Sequence, residues 1–250
     1  MNIFLDNYGR FGNYILEIIR IINKYQLYKN NKEFKIYLKR YKTELSELFS
    51  FPMYNFDSTN QNKDDFIVEK PIWKNYDNIK NINETLLQKN VNNLTLYYKP
   101  NSKYLKVQYD NIIHLRLDDY LNKKFNKMGY YCLDDQYLTY ISEKYNLNKN
   151  NCCIITSNIK DYNRIYKNRS FNVYSNSLLE DFTSMMYCKN LFCSCSTFSI
   201  MAGIIGYCQN VYVPYPYILN DENFNKKHLF LYNNEKIIKI PYNERYIKNK

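Results

Sequence analysis

The sequence predicts an α/β protein with mainly parallel sheets, and three observations predict it. Short apolar runs alternate with segments of helical periodicity along most of the chain. The strand-like runs of the second half are continuously apolar, as expected of parallel sheets covered on both faces. The scarce residue types gather where a strand would hand over to a loop or helix, the usual place for ligand contacts in such folds. Of only five glycines and two histidines in 250 residues, Gly9-Arg10-Phe11-Gly12-Asn13 takes two glycines and His114-Leu115-Arg116-Leu117-Asp118-Asp119 one histidine. Ser196-Thr197-Phe198-Ser199 makes a third such island.

Residues 3–5 form a short strand that runs into the first island. Ile15, Ile18, Ile19, Ile22 and Tyr25 recur at helical spacing and predict an amphipathic helix over residues 11–28. Residues 34–38 alternate as a strand, 44–49 read as a short helix and 66–68 as another strand. Residues 71–103 carry little pattern apart from 94–98. The signal then sharpens, with strands predicted at 111–115, 152–156, 171–174, 191–195 and 211–213. Helices are predicted between them at 133–145, 160–166, 178–188 and 197–207. Two halves follow, residues 1–105 and 106–250, without an internal repeat.

Composition narrows the function classes. An apolar fraction of 45% suits a globular protein, with 29 Tyr and 14 Phe supplying core mass more often given by Leu and Val. The net charge of +11 is dispersed: 15 basic and 11 acidic residues over 1–100, 20 and 13 over 101–250. A solvated basic surface fits this better than a nucleic-acid footprint, and weak attraction to a membrane surface is compatible with it. Seven cysteines with no C-x-x-C pair read as buried free thiols of a reducing compartment, and no metal-ligand spacing surrounds His114. The start lacks a basic stretch followed by an apolar one, and no run of 18 apolar residues occurs. The expected location is the cytoplasm, that of the host if the source is a virus.

Each island suits an anionic ligand. Gly12 and Asn13 stand at a helix start, where backbone amides suit an anion or a sugar hydroxyl, although a plain turn explains the pattern as well. His114 and Arg116 alternate at a strand end and therefore project toward the same face. An arginine there can grip a phosphate through two charge-assisted hydrogen bonds and stabilise a departing diphosphate. Asp119 orients Arg116 or acts on the acceptor; a strand-end ion pair is the structural alternative. Ser196, Thr197, Phe198 and Ser199 open a helix whose positive end suits a diphosphate, or they simply cap it. Asp181 can accept two hydrogen bonds from a guanine edge or serve as a cap.

In this order the islands resemble the fucosyltransferase superfamily of the GT-B fold, nearest to the bacterial-type α-1,2-fucosyltransferases. The motifs concerned are Gly-x-x-Gly-Asn, H-x-R-R-x-D, and a late segment read here as Asp181-Phe182-Thr183-Ser184-Met185-Met186-Tyr187-Cys188-Lys189 followed by Ser196-Thr197-Phe198-Ser199. The opening island also looks like that of protein O-fucosyltransferases. The resemblance implies two Rossmann-like lobes, 1–105 on the acceptor side and 106–250 binding the donor. It implies inverting, metal-independent transfer from a GDP-sugar, GDP-fucose by analogy, to a glycan acceptor, with no cofactor. Arg116 falls on the arginine that grips the β-phosphate, His114 lies near the nucleotide, and Asn13 near donor or acceptor. Two departures stand out: Leu117 replaces the family's second arginine, and Asp118 its small residue before the final aspartate.

No general base is evident; Asp119 is the first candidate, then Asp6 and Glu17. The sequence therefore supports a glycosyltransferase first. A nucleotide-sugar-binding module without turnover, or a transferase using another nucleotide-sugar, remains the alternative.

Overall fold

A computed structural model describes residues 1–6, 10–25, 34–57, 59, 61–69, 98, 101–121, 131–166, 169–215 and 234–241. The chain forms two compact units, Met1–Ser102 and Lys103–Lys250. Among the described residues both sheets are wholly parallel and six α-helices accompany them.

The first unit contains β1 (Asn2–Leu5), α1 (Phe11–Lys24), β2 (Lys35–Leu38), α2 (Lys42–Leu48), β3 (Met53–Asn55) and β4 (Ile67–Glu69), with strand order β3-β2-β1-β4. Helix α1 forms because Phe11, Tyr14, Ile15, Ile18, Ile19 and Ile22 share one side, and all of them are buried. Its predicted extension to residue 28 and the apolar stretch 94–97 lie outside the described residues; Tyr98 makes an antiparallel bridge with Phe49. Strand β3 was not legible in the sequence, since only one of its three residues, Met53, is buried.

The second unit contains β5 (Asn111–Leu115), α3 (Asp135–Lys144), β6 (Cys152–Thr156), α4 (Ile159–Ile165), β7 (Asn172–Tyr174), α5 (Leu178–Tyr187), β8 (Asn190–Phe192), α6 (Thr197–Ile205), β9 (Asn210–Tyr215) and β10 (Ile237–Pro241). The strand order is β10-β9-β8-β5-β6-β7. It runs outward from β5 through β6 and β7 on one side, and through β8, β9 and β10 on the other. This is the doubly wound Rossmann order, and its direction reverses between β5 and β8. In open α/β sheets of this kind ligands bind beyond the carboxyl ends of the strands at that reversal.

One predicted element is corrected, and one strand was not foreseen. The strand expected over 191–195 ends at Phe192. Cys193 still donates its amide to the Tyr212 carbonyl, but Ser196 N then turns back to Ser194 O, 2.7 Å away, and the chain enters α6. The apolar run continues past the strand because the whole loop is buried. Strand β10 was not predicted, although its run carries Ile237, Ile238 and Ile240; of these only Ile240 is buried.

Polar residues that looked like compositional filler also build the sheet. Asn111, Asn190 and Asn210 lie in register at the amino ends of β5, β8 and β9. Asn190 donates to Asn111 Oδ1 at 2.9 Å, and Asn210 donates to Asn190 Oδ1 at 2.8 Å. Further along, Phe192 and Tyr212 stack across β8 and β9 with centroids 4.4 Å apart, and Tyr145 packs against both.

Helix α6 is buried on every side from Ser199 to Ile205, so its sequence is apolar all round. Gly203 lets it approach the sheet: a Cβ there would lie 2.7 Å from Val211 Cγ2. At Gly206 a Cβ would meet backbone, 2.5 Å from the Met186 carbonyl oxygen, which cannot swing aside as a side chain can. Gly206→Ala is therefore expected to cost about 1–3 kcal/mol, by analogy with core overpacking, in urea unfolding at neutral pH.

Candidate active site

The site is built at the reversal of the second sheet. Strand β5 ends at Leu115, and Arg116 follows with its guanidinium fixed from three directions. Its Nε and Nη2 donate to the two carboxylate oxygens of Asp119, at 2.9 and 2.8 Å. Its Nη1 donates to Ser196 Oγ at 3.1 Å. Its carbon centre lies 4.6 Å above the Tyr120 ring. The Tyr120 hydroxyl in turn donates to the Cys195 carbonyl, so the loop after β5 is tied to the loop after β8. The pair is largely buried, with side-chain exposures of 13% for Arg116 and 11% for Asp119.

The third island closes the site. Ser196 is the N-cap of α6, its Oγ accepting from Phe198 N. Ser199 is buried, and its hydroxyl donates to the Ser196 carbonyl. Thr197 and Phe198 are half-buried. The Phe198 ring lies between His114 and Phe182, at centroid distances of 5.7 and 5.3 Å.

His114 and Arg116 do turn to the same side, as their alternation predicts, since both engage residues 194–198. His114 Nδ1 lies 2.8 Å from Ser194 Oγ. Burial, reinforced by the Arg116 charge, lowers the imidazole pKa from 6.5 to about 3, so it is neutral at pH 7. A neutral ring can read a ligand by hydrogen bonding but supplies no charge to a phosphate.

The remaining predicted residues stand apart from this cluster. Asp181 lies one turn inside α5, whose cap is Ser177 in a reciprocal box with Glu180. The Asp181 carboxylate accepts from Asn176 N at 3.2 Å and from Asn176 Nδ2 at 3.0 Å, and burial raises its pKa to about 6. Gly12 and Asn13 belong to the first unit, at the start of α1, while Gly9 lies outside the described residues. There the Asn13 amide donates to the Arg10 carbonyl and closes a turn. Of the weaker base candidates, Asp6 pairs with Lys39 at 2.6 Å. Glu17 is wholly buried and bonded to Arg20 at 2.7 Å, which is a structural position.

Three contributors were missed. Tyr120 was one of 29 tyrosines, Ser194 sat within a predicted strand, and the Cys132 thiol, which donates to the Arg116 carbonyl, carried no motif. A cavity of about 400 Å³ lined by Val107, Tyr109, Asp110, Ser184, Tyr187 and Cys188 lies at the amino end of β5, away from Arg116. Its position is opposite to the one where doubly wound folds hold ligands, so the Arg116 cluster is the candidate site. Among the described residues no group of three or more His, Cys, Asp or Glu is placed to hold a metal. All seven cysteines are free, six of them buried. No helix among the described residues is long and apolar enough to cross a membrane.

The sequence profile of Glycosyl transferase family 11 matches residues 107–237, a span that takes in β5, Arg116, the Ser196 cap and β9. The chain belongs to glycosyl transferase family 11. No curated protein sequence matches the chain as a relative. Family membership makes it a fucosyltransferase-type glycosyltransferase, acting on a donor and an acceptor. The match lies within the second unit and leaves the Gly12–Asn13 island outside it. The Rossmann-like α/β architecture agrees with a GT-B-type fold.

The neutral His114 gives this glycosyltransferase a testable acid response. Its folded pKa lies below its unfolded value, so the unfolded chain binds the extra proton and stability is lost as pH falls from about 6.5 toward 3. Asp181, shifted upward, has the opposite slope between about 4 and 6 and offsets part of this loss in the parent. The stability gap between parent and His114→Asn should widen with rising pH over that window, by up to about 1.4 kcal/mol per pH unit. Urea unfolding of both proteins at half-unit steps from pH 4.5 to 7 checks it.

Proposed function

We propose that this family 11 member transfers fucose from GDP-fucose to a glycan acceptor, with inversion and without a metal ion. In this reading it acts as the bacterial-type α-1,2-fucosyltransferases do. The observation that carries the reading is the Arg116 guanidinium, held by Asp119 and resting on the Ser196 cap at the strand-order reversal. A diphosphate seated there meets a fixed positive charge and the amino end of a buried helix. Both act more strongly on the charge that grows on the leaving GDP than on the bound donor, and this difference is what lowers the barrier. The second unit is then the donor lobe and the first the acceptor-side lobe, a GT-B division of labour.

Within that scheme Asp119 is a positioning residue. Both of its oxygens are engaged by the arginine fork, an arrangement that fixes the guanidinium plane. His114, neutral and packed beside Phe198, and Asp181, still mainly an ionised acceptor at pH 7 although burial raises its pKa to about 6, suit hydrogen bonding to the nucleotide base. At the phosphate end Thr197 is half-buried, while Ser196 and Ser199 are fully buried and support the amino end of α6 from beneath. The occupied carboxylate of Asp119 leaves the general base unassigned, and this favours a second reading, a donor-binding module without turnover.

A thermal-shift panel of GDP-, UDP- and dTDP-sugars, followed by a transfer assay, separates these readings. GDP-fucose at 100 times its Kd should add about 2.7 kcal/mol of stability. Arg116→Ala should abolish that shift and lower kcat by about 10²–10³, the cost of removing one preorganised donor. A GDP-selective shift with no transfer supports the module, and a UDP or dTDP preference overturns the GDP reading. Asp119→Asn should lower kcat by about 10², the typical cost of slight misplacement, while keeping the acid limb of the pH profile. Loss of that limb would make Asp119 the base instead.

A further inference from the structure

We propose that Asp118 and Ser157 hold the ribose hydroxyls of the donor nucleotide and make the enzyme select ribo- over deoxyribonucleotides. The inference rests on the donor reading of Arg116. Asp118 stands where the family motif has a small residue, so the motif itself gives it no role.

The placement is specific. Asp118 lies in the turn after β5, and Ser157 directly follows β6, the neighbouring strand, with Leu115 and Thr156 in register. The Ser157 hydroxyl donates to Asp118 Oδ2 and bridges the carboxyl ends of the two strands. Both side chains are exposed. Among the described residues Ser157 is the one hydrogen-bond partner of Asp118. An ionised carboxylate offers about four acceptor sites, so capacity for further donors remains.

The geometry matches the ligand's layout. A nucleotide whose phosphates meet Arg116 at the β5–β8 reversal can extend its nucleoside across β5 toward β6. Doubly wound folds hold a ribose on that side with a carboxylate. Asp118 is two residues beyond Arg116, so their Cα atoms are at most about 7 Å apart, a spacing comparable to that between ribose and terminal phosphate in a nucleoside diphosphate. The chemistry also sorts the two ends. A carboxylate repels phosphate but accepts from the neutral vicinal diol, while the guanidinium does the reverse, so the ligand is seated in one direction only.

The test is titration calorimetry of the full chain with GDP and 2′-deoxy-GDP, for the parent, Asp118→Ala, Asp118→Asn and Ser157→Ala. The parent should bind GDP at least about 10-fold more tightly than 2′-deoxy-GDP, as expected for hydrogen bonds to a charged group. In Asp118→Ala and Asp118→Asn the ratio should fall below about 3-fold through loss of GDP affinity alone, with Ser157→Ala intermediate. Equal affinities in the parent, or a ratio that survives both Asp118 variants, overturns the proposal. In either case GDP binding that depends on Arg116 leaves the donor reading intact, whereas no GDP binding at all removes both. Weakened binding of GDP-fucose with unchanged binding of GDP also overturns it, by assigning Asp118 to the diol of the transferred sugar.

Discussion

The Arg116–Asp119 fork, set on the Tyr120 ring and against the Ser196 cap, is the constraint on which the site depends. A largely buried guanidinium needs a geometrically matched counter-charge, because its desolvation is otherwise too costly. Asp119 supplies that match three residues away, at 2.8–2.9 Å through two oxygens. The arginine is thereby fixed before any ligand arrives, which is the condition for electrostatic stabilisation without reorganisation. Tyr120 extends the constraint, since one ring supports the guanidinium with its face and binds the Cys195 carbonyl with its hydroxyl.

Everything around the fork serves to bring two loops together that are 80 residues apart in sequence. Strand β5 must lie next to β8, and α6 must sit close on β8 and β9. The asparagine ladder aligns β5, β8 and β9 at their amino ends, and the Phe192–Tyr212 stack aligns β8 and β9 further along. Gly203 removes the side chain that would hold α6 away from these strands, and Gly206 the one that would meet the α5 backbone at Met186. A composition rich in Asn and Tyr has therefore not diluted the fold. Asparagine pairs across strands through its own amide, and tyrosine fills the core while its hydroxyl caps a buried carbonyl, as Tyr166 does at Leu133.

Much of the second unit was legible because most of its strands and helices carry a strong apolar pattern. Cys152–Thr156 is buried at every position, so nothing but a central strand fits it. The errors arose where burial and secondary structure part company. Residues 193–195 are as buried as a strand, yet they form the loop that delivers Ser196, and apolarity reports burial alone. Asp181 looked like a helix start because acids favour first turns, but Ser177 and Glu180 form the actual box.

The sequence by itself determined the parallel α/β class, the residue types gathered in the His114–Asp119 and Ser196–Ser199 islands, and the alternation that sends His114 and Arg116 to one side. These are local properties, fixed by residue type and by a period of two or 3.6. The tertiary structure alone decided that Arg116 meets Ser196, that Asp119 is committed to the arginine, that His114 is neutral, and that Ser157 joins Asp118. Each of these depends on which strand lies beside which and on how deeply a group is buried, and neither quantity is written in any short stretch of chain.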